Sequence, residues 1–296
     1  MKFYIVDAFT QKPFGGNTAG VVLLDRDAAF PEDEIMRQTA AELRYSETAF
    51  VRQDGPSEFT VRYFTPRYEV DLCGHATIAT FGTLFQEGIV PAGTRCLNHT
   101  KAGDLEVVAG GQVMMQMAAA EAAGDFKDPA LLDALLGAMG GLRREDLAPL
   151  PVETISTGLP DIILPVRDLD VLQSLRPDMS ALTDLSTELD VVGVHAFATM
   201  PGDGYTAHTR NFAPRYAVPE ESATGTANAA LTAYLFRQKI ISDGASCRFL
   251  QGEAMGRPSL VLSTLTLRDG APDIRIGGPC AIVARGEIGM PGQNRA

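Results

Sequence analysis

The stretch Arg62-Tyr-Phe-Thr-Pro-Arg-Tyr-Glu-Val70 returns later in the chain as Arg210-Asn-Phe-Ala-Pro-Arg-Tyr-Ala-Val218, with six of the nine positions identical. The shift between the two copies is 148 residues (210 − 62 = 148). Each copy continues through a turn of small residues into an apolar helical pattern, at Cys73-Gly74-His75-Ala76 and at Ala223-Thr-Gly-Thr-Ala227. A repeat of this length in a chain of 296 residues predicts two homologous domains.

Each half of the chain shows many short strands and one long helix. Alternating, β-rich runs dominate, and the long helical pattern begins at Gly74 in the first half and near Gly225 in the second. Asp128-Pro129 also predicts the capped start of a helix that ends at Gly140-Gly141. This order is not a βαβ alternation, and no G-x-G-x-x-G motif follows the first strand. We therefore expect an α+β protein of two pseudo-symmetric domains, each a strongly curved mixed or antiparallel sheet around a central helix.

The Ala-rich segment Ala118–Gly124 marks the expected domain boundary. We place the N-terminal domain at residues 1–117, completed by residues 279–296, and the C-terminal domain at residues 118–278. A duplicated fold of this kind predicts that a ligand binds in the cleft between the domains.

The composition limits the classes of partner. The chain has 25 basic and 37 acidic side chains, a net charge of −12, which argues against nucleic acid and anionic membranes as partners. A small anionic substrate remains compatible with this charge, because a binding site needs only local donors. No stretch approaches the roughly 20 apolar residues that span a bilayer. The four cysteines lack the spacing of metal ligands or of a disulfide framework, so a reducing, cytoplasmic setting is expected.

The two repeated glycines predict binding sites for an anion. We call Cys73-Gly74-His75 the first corner and Thr224-Gly225-Thr226 the second corner. The first turn of a helix leaves backbone N–H groups unpaired and carries partial positive charge, and a glycine there lets a ligand approach closely. His75 and Thr226 occupy the same slot after each glycine (225 − 74 = 151 and 226 − 75 = 151). The alternative is that each glycine only forms a tight turn. This alternative explains less well why a polar residue follows the glycine in both repeats.

Acidic residues lie close to both corners. Glu47 stands at the head of a predicted strand, in Ser46-Glu47-Thr48-Ala49-Phe50, where a single carboxylate is either an acid–base catalyst or a solvated side chain. Asp71 precedes the first corner, and Glu220 and Glu221 precede the second. Capping of the following helix is the simplest role for these three acids, and we assign it to Glu220.

Cys73 raises the possibility of a racemase that uses two thiols, one at each corner. In the second half, the equivalent slot is taken to be Ser222, before Ala-Thr-Gly. A serine hydroxyl does not replace a thiolate as a base without help, because it is far less acidic. The symmetric two-thiol mechanism is therefore disfavoured.

Four motifs resemble the PhzF family, the phenazine biosynthesis-like proteins with the diaminopimelate epimerase-like fold. The opening Val6-Asp-Ala-Phe-Thr-Gln-Lys-Pro-Phe-Gly-Gly-Asn-Thr-Ala-Gly-Val-Val22 is similar to the first strand of the family and its G-N-P-x-A-V-V turn. Ser46–Phe50 resembles the S-E-T-A-F strand, and Glu69–Thr77 resembles the E-x-x-x-C-G-H-A-T corner. Glu220–Ala227 is close to the second corner of the family, E-D-P-A-T-G-S-A. These motifs occur in family order over essentially the whole chain.

The resemblance implies roles for individual residues. It assigns catalysis to Glu47, His75 and Glu221. The substrate-binding residues that it implies are Asn17, Ser46, Asp71, Gly74, His75, Gly225 and Thr226. The chain departs from the family motifs at four positions, with Thr18 and Ser222 in place of Pro, Thr226 in place of Ser and Glu221 in place of Asp. The added methylene of Glu221 moves a carboxylate by more than the roughly 0.5 Å tolerance of a preorganised site, which suggests an altered substrate or an inactive site.

The resemblance also implies an isomerase without a metal or organic cofactor, a homodimer acting in a biosynthetic process on a small carboxylate-bearing substrate. In the phenazine-pathway member, that substrate is trans-2,3-dihydro-3-hydroxyanthranilate. Glu47 would then move a proton along the substrate. Two alternatives stay open: a non-catalytic member that binds a small molecule, and an amino-acid epimerase or racemase that uses Glu47 and Cys73 as unlike bases.

Overall fold

The computed structural model describes residues 1–26 and 28–289, and the chain divides into two compact units. Unit 1 consists of Met1–Gln116 together with the segment from Gly277 onward, and unit 2 is Met117–Ile276. Both units combine mixed β-sheet with α-helix, so the α+β class expected from the sequence is confirmed.

Unit 1 is built from nine strands and two helices within the described residues. In chain order they are β1 (Lys2–Ala8), β2 (Asn17–Leu23), α1 (Asp33–Leu43), β3 (Thr48–Gly55), β4 (Glu58–Phe64), β5 (Glu69–Val70), α2 (Gly74–Gln86), β6 (Arg95–Thr100), β7 (Gly103–Val108), β8 (Val113–Gln116) and, after unit 2, β18 (Cys280–Glu287). Strand β1 lies between β2 and β18, antiparallel to both, so the end of the chain adds a strand to unit 1. The remaining pairs are antiparallel except β2–β3 and β4–β6, which are parallel.

Unit 2 contains the following strands and α-helices: β9 (Glu121–Asp125), α3 (Pro129–Ala138), β10 (Glu153–Ser156), β11 (Pro160–Pro165), α4 (Leu169–Ser174), α5 (Met179–Glu188), β12 (Val194–Ala198), β13 (Ala207–Ala213), β14 (Val218–Glu221), α6 (Gly225–Arg237), β15 (Ser246–Gln251), β16 (Ser259–Arg268) and most of β17 (Ala271–Gly278). Three single-turn 3-10 helices lie at Arg144–Asp146, Pro214–Tyr216 and Glu253–Met255.

The strand pairing of unit 1 recurs in unit 2. Strand β10 lies between β9 and β11, antiparallel to both, and the parallel pairs are β11–β12 and β13–β15. The register recurs as well. Phe59 faces Asn98 across the parallel pair of unit 1, and Ala207 faces Phe249 across that of unit 2, with shifts of 148 (207 − 59) and 151 (249 − 98) residues. The repeat seen in the sequence is therefore a repeat of backbone hydrogen bonding inside each unit.

The central helix of each unit is buried on nearly all sides. Ten of the thirteen residues of α2 and ten of the thirteen of α6 are buried. Helix α2 packs against β1, β2, β3, β8 and β18, and α6 packs against β10, β11, β12 and β16. A helix with no exposed face requires sheet around it, which explains why these two helices lack an amphipathic pattern.

Unit 2 has more helix than the sequence pattern indicated. Besides α6 it contains α3, which starts after the predicted Asp128 cap, and two helices, α4 and α5, that the expectation of one long helix per half missed. All three cover the face of the sheet opposite α6, where Leu135, Leu172 and Leu182 pack on Ile162 and Leu164 of β11. The Ala-rich segment expected as a plain bridge contains β9, which pairs with β10. The Ala-rich composition gives no strand signal in the sequence, because this segment is a strand only through its backbone pairing with β10.

None of the helices among residues 1–26 and 28–289 combines the length and the apolar character needed to cross a membrane.

Candidate active site

The two corner helices begin without a side-chain cap. The shorter helices of unit 2 are capped in the usual way, because Asp128, Asp168 and Asp178 accept backbone N–H groups of α3, α4 and α5. At α2 and α6 the N-cap residues are Cys73 and Thr224, and neither side chain makes a capping hydrogen bond. Neither first turn contains an acidic residue. Uncapped N–H groups with the positive end of a helix dipole are suited to an anionic group of a ligand.

A carboxylate, an imidazole and a thiol converge at the first corner. His75 Nε2 lies 3.3 Å from Glu47 Oε2, and His75 Nδ1 lies 3.4 Å from Cys73 Sγ. Ser46 Oγ approaches the same Nε2 atom at 3.4 Å. The side chain of His75 is 6% exposed and that of Glu47 is 20% exposed, so the imidazole is held inside while the carboxylate still reaches the surface. The structure thus brings together three of the residues that the sequence nominated: Ser46, Glu47 and His75.

Parallel pairing of β2 and β3 sets the position of Glu47. Glu47 directly precedes β3, and its carbonyl accepts a hydrogen bond from Gly20 of β2. Because parallel neighbours begin at the same edge of a sheet, Asn17 at the start of β2 lies at the same edge as Ser46 and Glu47. The sequence-nominated Asn17 is therefore on the edge that carries the catalytic candidates.

Gly74 is not required by packing. A Cβ atom built on it would meet no atom within 4 Å, and its φ lies outside the positive range that favours glycine. The glycine leaves the backbone at the start of α2 accessible, as the sequence analysis expected. It contrasts with Gly82 in the same helix, where a Cβ would lie 2.0 Å from Cys280 Sγ.

Thr18, which replaces proline of the family motif, has a defined partner. Its hydroxyl donates to Asp7 Oδ1 at 2.5 Å, and the backbone N–H of Phe14 donates to Asp7 Oδ2 at 2.7 Å. Asp7 is buried, with 2% exposure. This buried carboxylate fixes the loop that leads into β2, a role that the sequence analysis did not find.

The second corner is held by a different set of groups. Thr224 donates its hydroxyl to Glu221 Oε2 at 2.6 Å, and the side-chain amide of Gln251 donates to Thr224 Oγ1 and to the carbonyl of Glu221. Thr157 donates its hydroxyl to the carbonyl of Thr226 at 3.1 Å. Glu221 is therefore oriented toward the start of α6 by the residue that would otherwise cap this helix.

A buried polar network supports the second corner from behind. His195 lies 3.1 Å from Asn211 Oδ1 and 3.3 Å from Asn228 Oδ1, and Asn228 donates to Gln251 Oε1 at 2.7 Å. All four side chains are at most 1% exposed. Burial lowers the pKa of His195 to about 4, so the imidazole is neutral and its ring N–H can donate to an amide oxygen.

The helix-capping role expected for Glu220 is wrong. Glu220 forms a bidentate ion pair with Arg210, at 2.8 and 2.9 Å, because β14 carries it back alongside the repeated Arg of β13. Asp71 is exposed and lies two residues before the N-cap Cys73, so its side chain does not cap α2.

The sequence register between the corners also needs one correction. The residue equivalent to Cys73 is Thr224, the N-cap of α6, and not Ser222. The shift of 151 residues that aligns Gly74 with Gly225 also aligns Cys73 with Thr224 (224 − 73 = 151), and the three extra residues of the second corner lie before Thr224. The conclusion that the second corner lacks a thiol is unaffected.

Sequence reasoning missed Asp161 near the second corner. This residue of β11 is 1% exposed, and neither of its carboxyl oxygens has a hydrogen-bond partner in the described chain. Burial, with a further contribution from the Glu221 carboxylate, raises the pKa of Asp161 to about 8. The one signal in the sequence was an acid directly before the apolar run Ile162-Ile-Leu164.

The first corner also contains donor types that bind metal ions. One ligand atom from each of Glu47, Cys73 and His75 lies within 4.8 Å of the others. Carboxylate, thiolate and imidazole are all ligands of Zn²⁺. The family resemblance implies no metal, and the same three groups are suited to acid–base chemistry without one.

Comparison with known proteins identifies the family. Residues 6–286 match the family model PhzC-PhzF, phenazine biosynthesis-like protein. A curated protein named "Uncharacterized isomerase" from Deinococcus radiodurans is 35% identical over 297 residues, covering 95% of this chain and 92% of that protein. The trans-2,3-dihydro-3-hydroxyanthranilate isomerase of Pseudomonas aeruginosa is 31% identical over 266 residues, covering 87% of this chain and 88% of that enzyme.

Among solved structures, the Bacillus anthracis phenazine biosynthesis protein of the PhzF family superposes with a TM-score of 0.87 at 29% identity. The match covers 98% of this chain and 99% of that one. The fold, the motifs and the relatives agree, and the activity class of an isomerase follows from the curated relatives. The chain therefore belongs to the PhzF family of phenazine biosynthesis-like proteins.

Proposed function

We propose that this isomerase moves a proton within a small carboxylate-bearing substrate, with Glu47 as the shuttle and with no metal or organic cofactor. The observation that carries this proposal is the 3.3 Å approach of Glu47 Oε2 to His75 Nε2 beside the uncapped start of α2. The carboxylate is oriented by a buried imidazole, yet 20% of its side chain remains accessible to a ligand.

The chemistry needs only one carboxylate that changes its protonation state twice. Glu47 accepts a proton from one carbon of the substrate and returns it to another, so the reaction is balanced without a co-reactant. When Nε2 of His75 carries the hydrogen, it donates toward Glu47 while Nδ1 accepts from the Cys73 thiol. The imidazole then stabilises the ionised form of Glu47 before each proton abstraction.

The backbone at the corners supplies the binding interactions of the proposed reaction. The N–H groups of Gly74 and His75 are proposed to hold the substrate carboxylate, since Gly74 leaves them accessible. Asn17 and Ser46 lie on the edge that carries Glu47 and are proposed as substrate contacts, as is Asp71. At the second corner, Gly225, Thr226 and Glu221 are proposed to contact the substrate, with Glu221 held in place by Thr224.

A relative suggests the first substrate to test. The Pseudomonas aeruginosa enzyme is named for trans-2,3-dihydro-3-hydroxyanthranilate, a small carboxylate. The test is an absorbance time course with this compound in D₂O, comparing the native chain with Glu47→Gln, and with Glu42→Gln on α1 as a control for loss of an exposed acid. Turnover with deuterium incorporation that only Glu47→Gln abolishes supports the shuttle. Turnover that survives in Glu47→Gln contradicts it.

Metal independence requires its own measurement, since Glu47, Cys73 and His75 could share an ion. We expect no stoichiometric zinc in the purified protein and unchanged turnover after dialysis against a chelator. Loss of turnover on chelation, with recovery on addition of zinc alone, would replace the proton shuttle with a metal-assisted reaction.

A second candidate is an epimerase with Glu47 and Cys73 as unlike bases. The observation that favours it is the 3.4 Å contact of Cys73 Sγ with His75 Nδ1, because a neighbouring imidazole can take the thiol proton. The two candidates differ in their response to Cys73→Ala. The epimerase loses activity with this variant and on thiol alkylation, whereas the Glu47 shuttle keeps its activity.

Also compatible with the fold is a family member that binds a small molecule without changing it. Such a protein would be stabilised thermally by the compound while leaving it chemically intact. A homodimer, which the resemblance implies, is proposed as the assembly and is checked by light scattering.

A further inference from the structure

Asp161 is a buried acid whose oxygens lack the partners that a buried carboxylate normally has. Its exposure is 1%, and both oxygens are without a hydrogen bond in the described chain. Placing an ionised carboxylate in such surroundings is expensive, so the group is expected to stay protonated instead. Buried acids kept neutral in this way are concentrated at functional sites.

Strand geometry directs Asp161 toward α6. Ile162 and Leu164 of β11 pack in the cluster formed with α3, α4 and α5. Because side chains alternate along a strand, Asp161 and Ile163 point to the opposite face, where α6 packs on β11. Asp161 also lies at the end of β11 nearest the start of α6, since the adjoining turn carries Thr157, whose hydroxyl binds the carbonyl of Thr226.

The repeat places Asp161 next to the counterpart of Glu47. Gly20 donates its N–H to the carbonyl of Glu47 in unit 1, and Ile162 donates to the carbonyl of Gly193 in unit 2. Glu47 therefore corresponds to Gly193, and Asp161 corresponds to Ala19, the residue before Gly20. Of these two neighbouring strands, the second contributes a carboxyl group in unit 1, Glu47, which directly precedes β3, and the first contributes one in unit 2, Asp161 of β11.

The charged groups around Asp161 are few. Glu221 of β14 is the charge that raises its pKa further, beyond the effect of burial. Strand β12 presents His195, which is neutral, while Glu153 of β10 interacts with Arg237 at the far end of α6.

We propose that Asp161 is a positioning residue of the second corner, which, as a neutral acid, prevents a second negative charge beside Glu221 and so allows the corner to accept an anionic group. This inference rests on the proposed function in its choice of an anionic ligand. Ionisation of Asp161 would place two carboxylates at the start of α6 and repel that ligand. Ionisation of Asp161 therefore sets the highest pH at which the second corner binds an anion.

The test follows the backbone amide signals of Gly225 and Thr226 by NMR during a pH titration of the full chain. In the native protein we expect both signals to titrate with a midpoint near pH 8. Asp161→Asn should abolish this titration, and Asp184→Asn, the same change at an exposed position of α5, should preserve it. Should Asp161→Asn fail to fold, Asp161→Ala serves, because its counterpart in unit 1 is Ala19. Signals that do not titrate in the native protein, or that titrate equally in the Asp161 variant, overturn the proposal.

Acetate is the probe for the anion itself. On the same amide signals, we expect acetate binding to the native chain to weaken roughly tenfold from about pH 6 to about pH 9, the factor that corresponds to one unit of pKa. Binding to Asp161→Asn should be independent of pH. Absence of any acetate effect at Gly225 and Thr226 would show that the second corner is not an anion site. These readouts need no turnover, so they distinguish failure of this inference from failure of the proposed isomerisation.

Discussion

Helices α2 and α6 begin at equivalent glycines, each has 13 residues, and each starts from an extended N-cap residue, Cys73 in one and Thr224 in the other. Around this common backbone the chemistry differs. The first corner holds Glu47 against His75 and Cys73, whereas the second has Gly193 in place of Glu47 and holds Glu221 and Asp161 instead. The repeat thus keeps a helix terminus without a side-chain cap at both corners, whereas the acids beside it differ.

The packing behind the corners diverged as well. Behind the first corner, Tyr63 bonds Thr77 at 2.7 Å and accepts from Asn98 at 3.1 Å. At the same places behind the second, Asn211 and Asn228 bind His195. This difference in side chains leaves the backbone hydrogen bonding of the repeat unchanged, because backbone hydrogen bonds do not depend on side-chain identity. The chemistry of each corner does depend on its side chains.

The largest expected effect is the difference between removing the acid of the first corner and removing that of the second. Glu47→Gln should lower kcat for the isomerisation by roughly a hundredfold or more, since it removes the group that carries the proton. Glu221→Gln should act mainly on KM, because Glu221 is proposed to contact the substrate and not to shuttle its proton. Steady-state kinetics on both variants measure this split, and an equal loss of kcat in both would mean that the corners share the proton transfer.

The next prediction compares two ion pairs at equivalent positions of the repeat, Arg62–Glu69 and Arg210–Glu220. Arg210 is 8% exposed and, besides Glu220, donates to the carbonyls of Leu172 and Leu175. We expect Arg210→Met to lower the free energy of unfolding by about 3–5 kcal/mol, because it leaves Glu220 and these carbonyls without a partner.

Arg62→Met is the matched change in unit 1. Arg62 is 21% exposed, and its partner Glu69 retains Lys101, so a loss of about 1 kcal/mol is expected. Urea denaturation compares the two variants. Equal losses would show that the burial of Arg210 contributes nothing beyond its ion pair.

The third prediction concerns the pH dependence of stability at Asp161. Its pKa is about 8 in the folded chain and lower when unfolded, so between those values the folded state holds a proton that the unfolded state lacks. Stability from this group is therefore present at low pH and is lost as pH rises toward 8, by at most about 1.4 kcal/mol per pH unit. Relative to the native chain, Asp161→Asn should gain thermal stability between pH 5 and 8, and a constant difference in Tm would contradict the assignment.

The smallest effect tests the accessible backbone of the first corner. Gly74→Ala should leave Tm nearly unchanged, because a Cβ there meets no neighbour, yet it should weaken substrate binding roughly tenfold by covering the N–H groups. Gly137→Ala in α3 is the control, a helical glycine that is equally free of neighbours. Unchanged KM in Gly74→Ala would separate the first corner from substrate binding.

Much of the architecture could be predicted from the sequence because it depends on local residue patterns and on the internal repeat. The copies beginning at Arg62 and Arg210 predicted two glycine-led helices, and Asp128-Pro129 predicted the start of α3. Helix α4 was missed because it has only six residues, and α5 was missed although it is as long as α3 and starts at an Asp cap, Asp178. Strand β9 was not predicted because only its backbone pairing with β10, and no pattern in its own residues, makes it a strand.

For the site, the motifs nominated the reactive groups: Glu47, His75 and Cys73 for the first corner, and Glu221 with Thr226 for the second. The contacts that these groups make depend on the fold. Parallel pairing of β2 with β3 brought Glu47 to His75, the register at α6 made Thr224 the partner of Glu221, and the hairpin before β11 buried Asp161 near that helix. Local spacing fixes the direction of a side chain along one element, whereas burial and charge pairing depend on residues distant in sequence, and those are what set the protonation state of an acid.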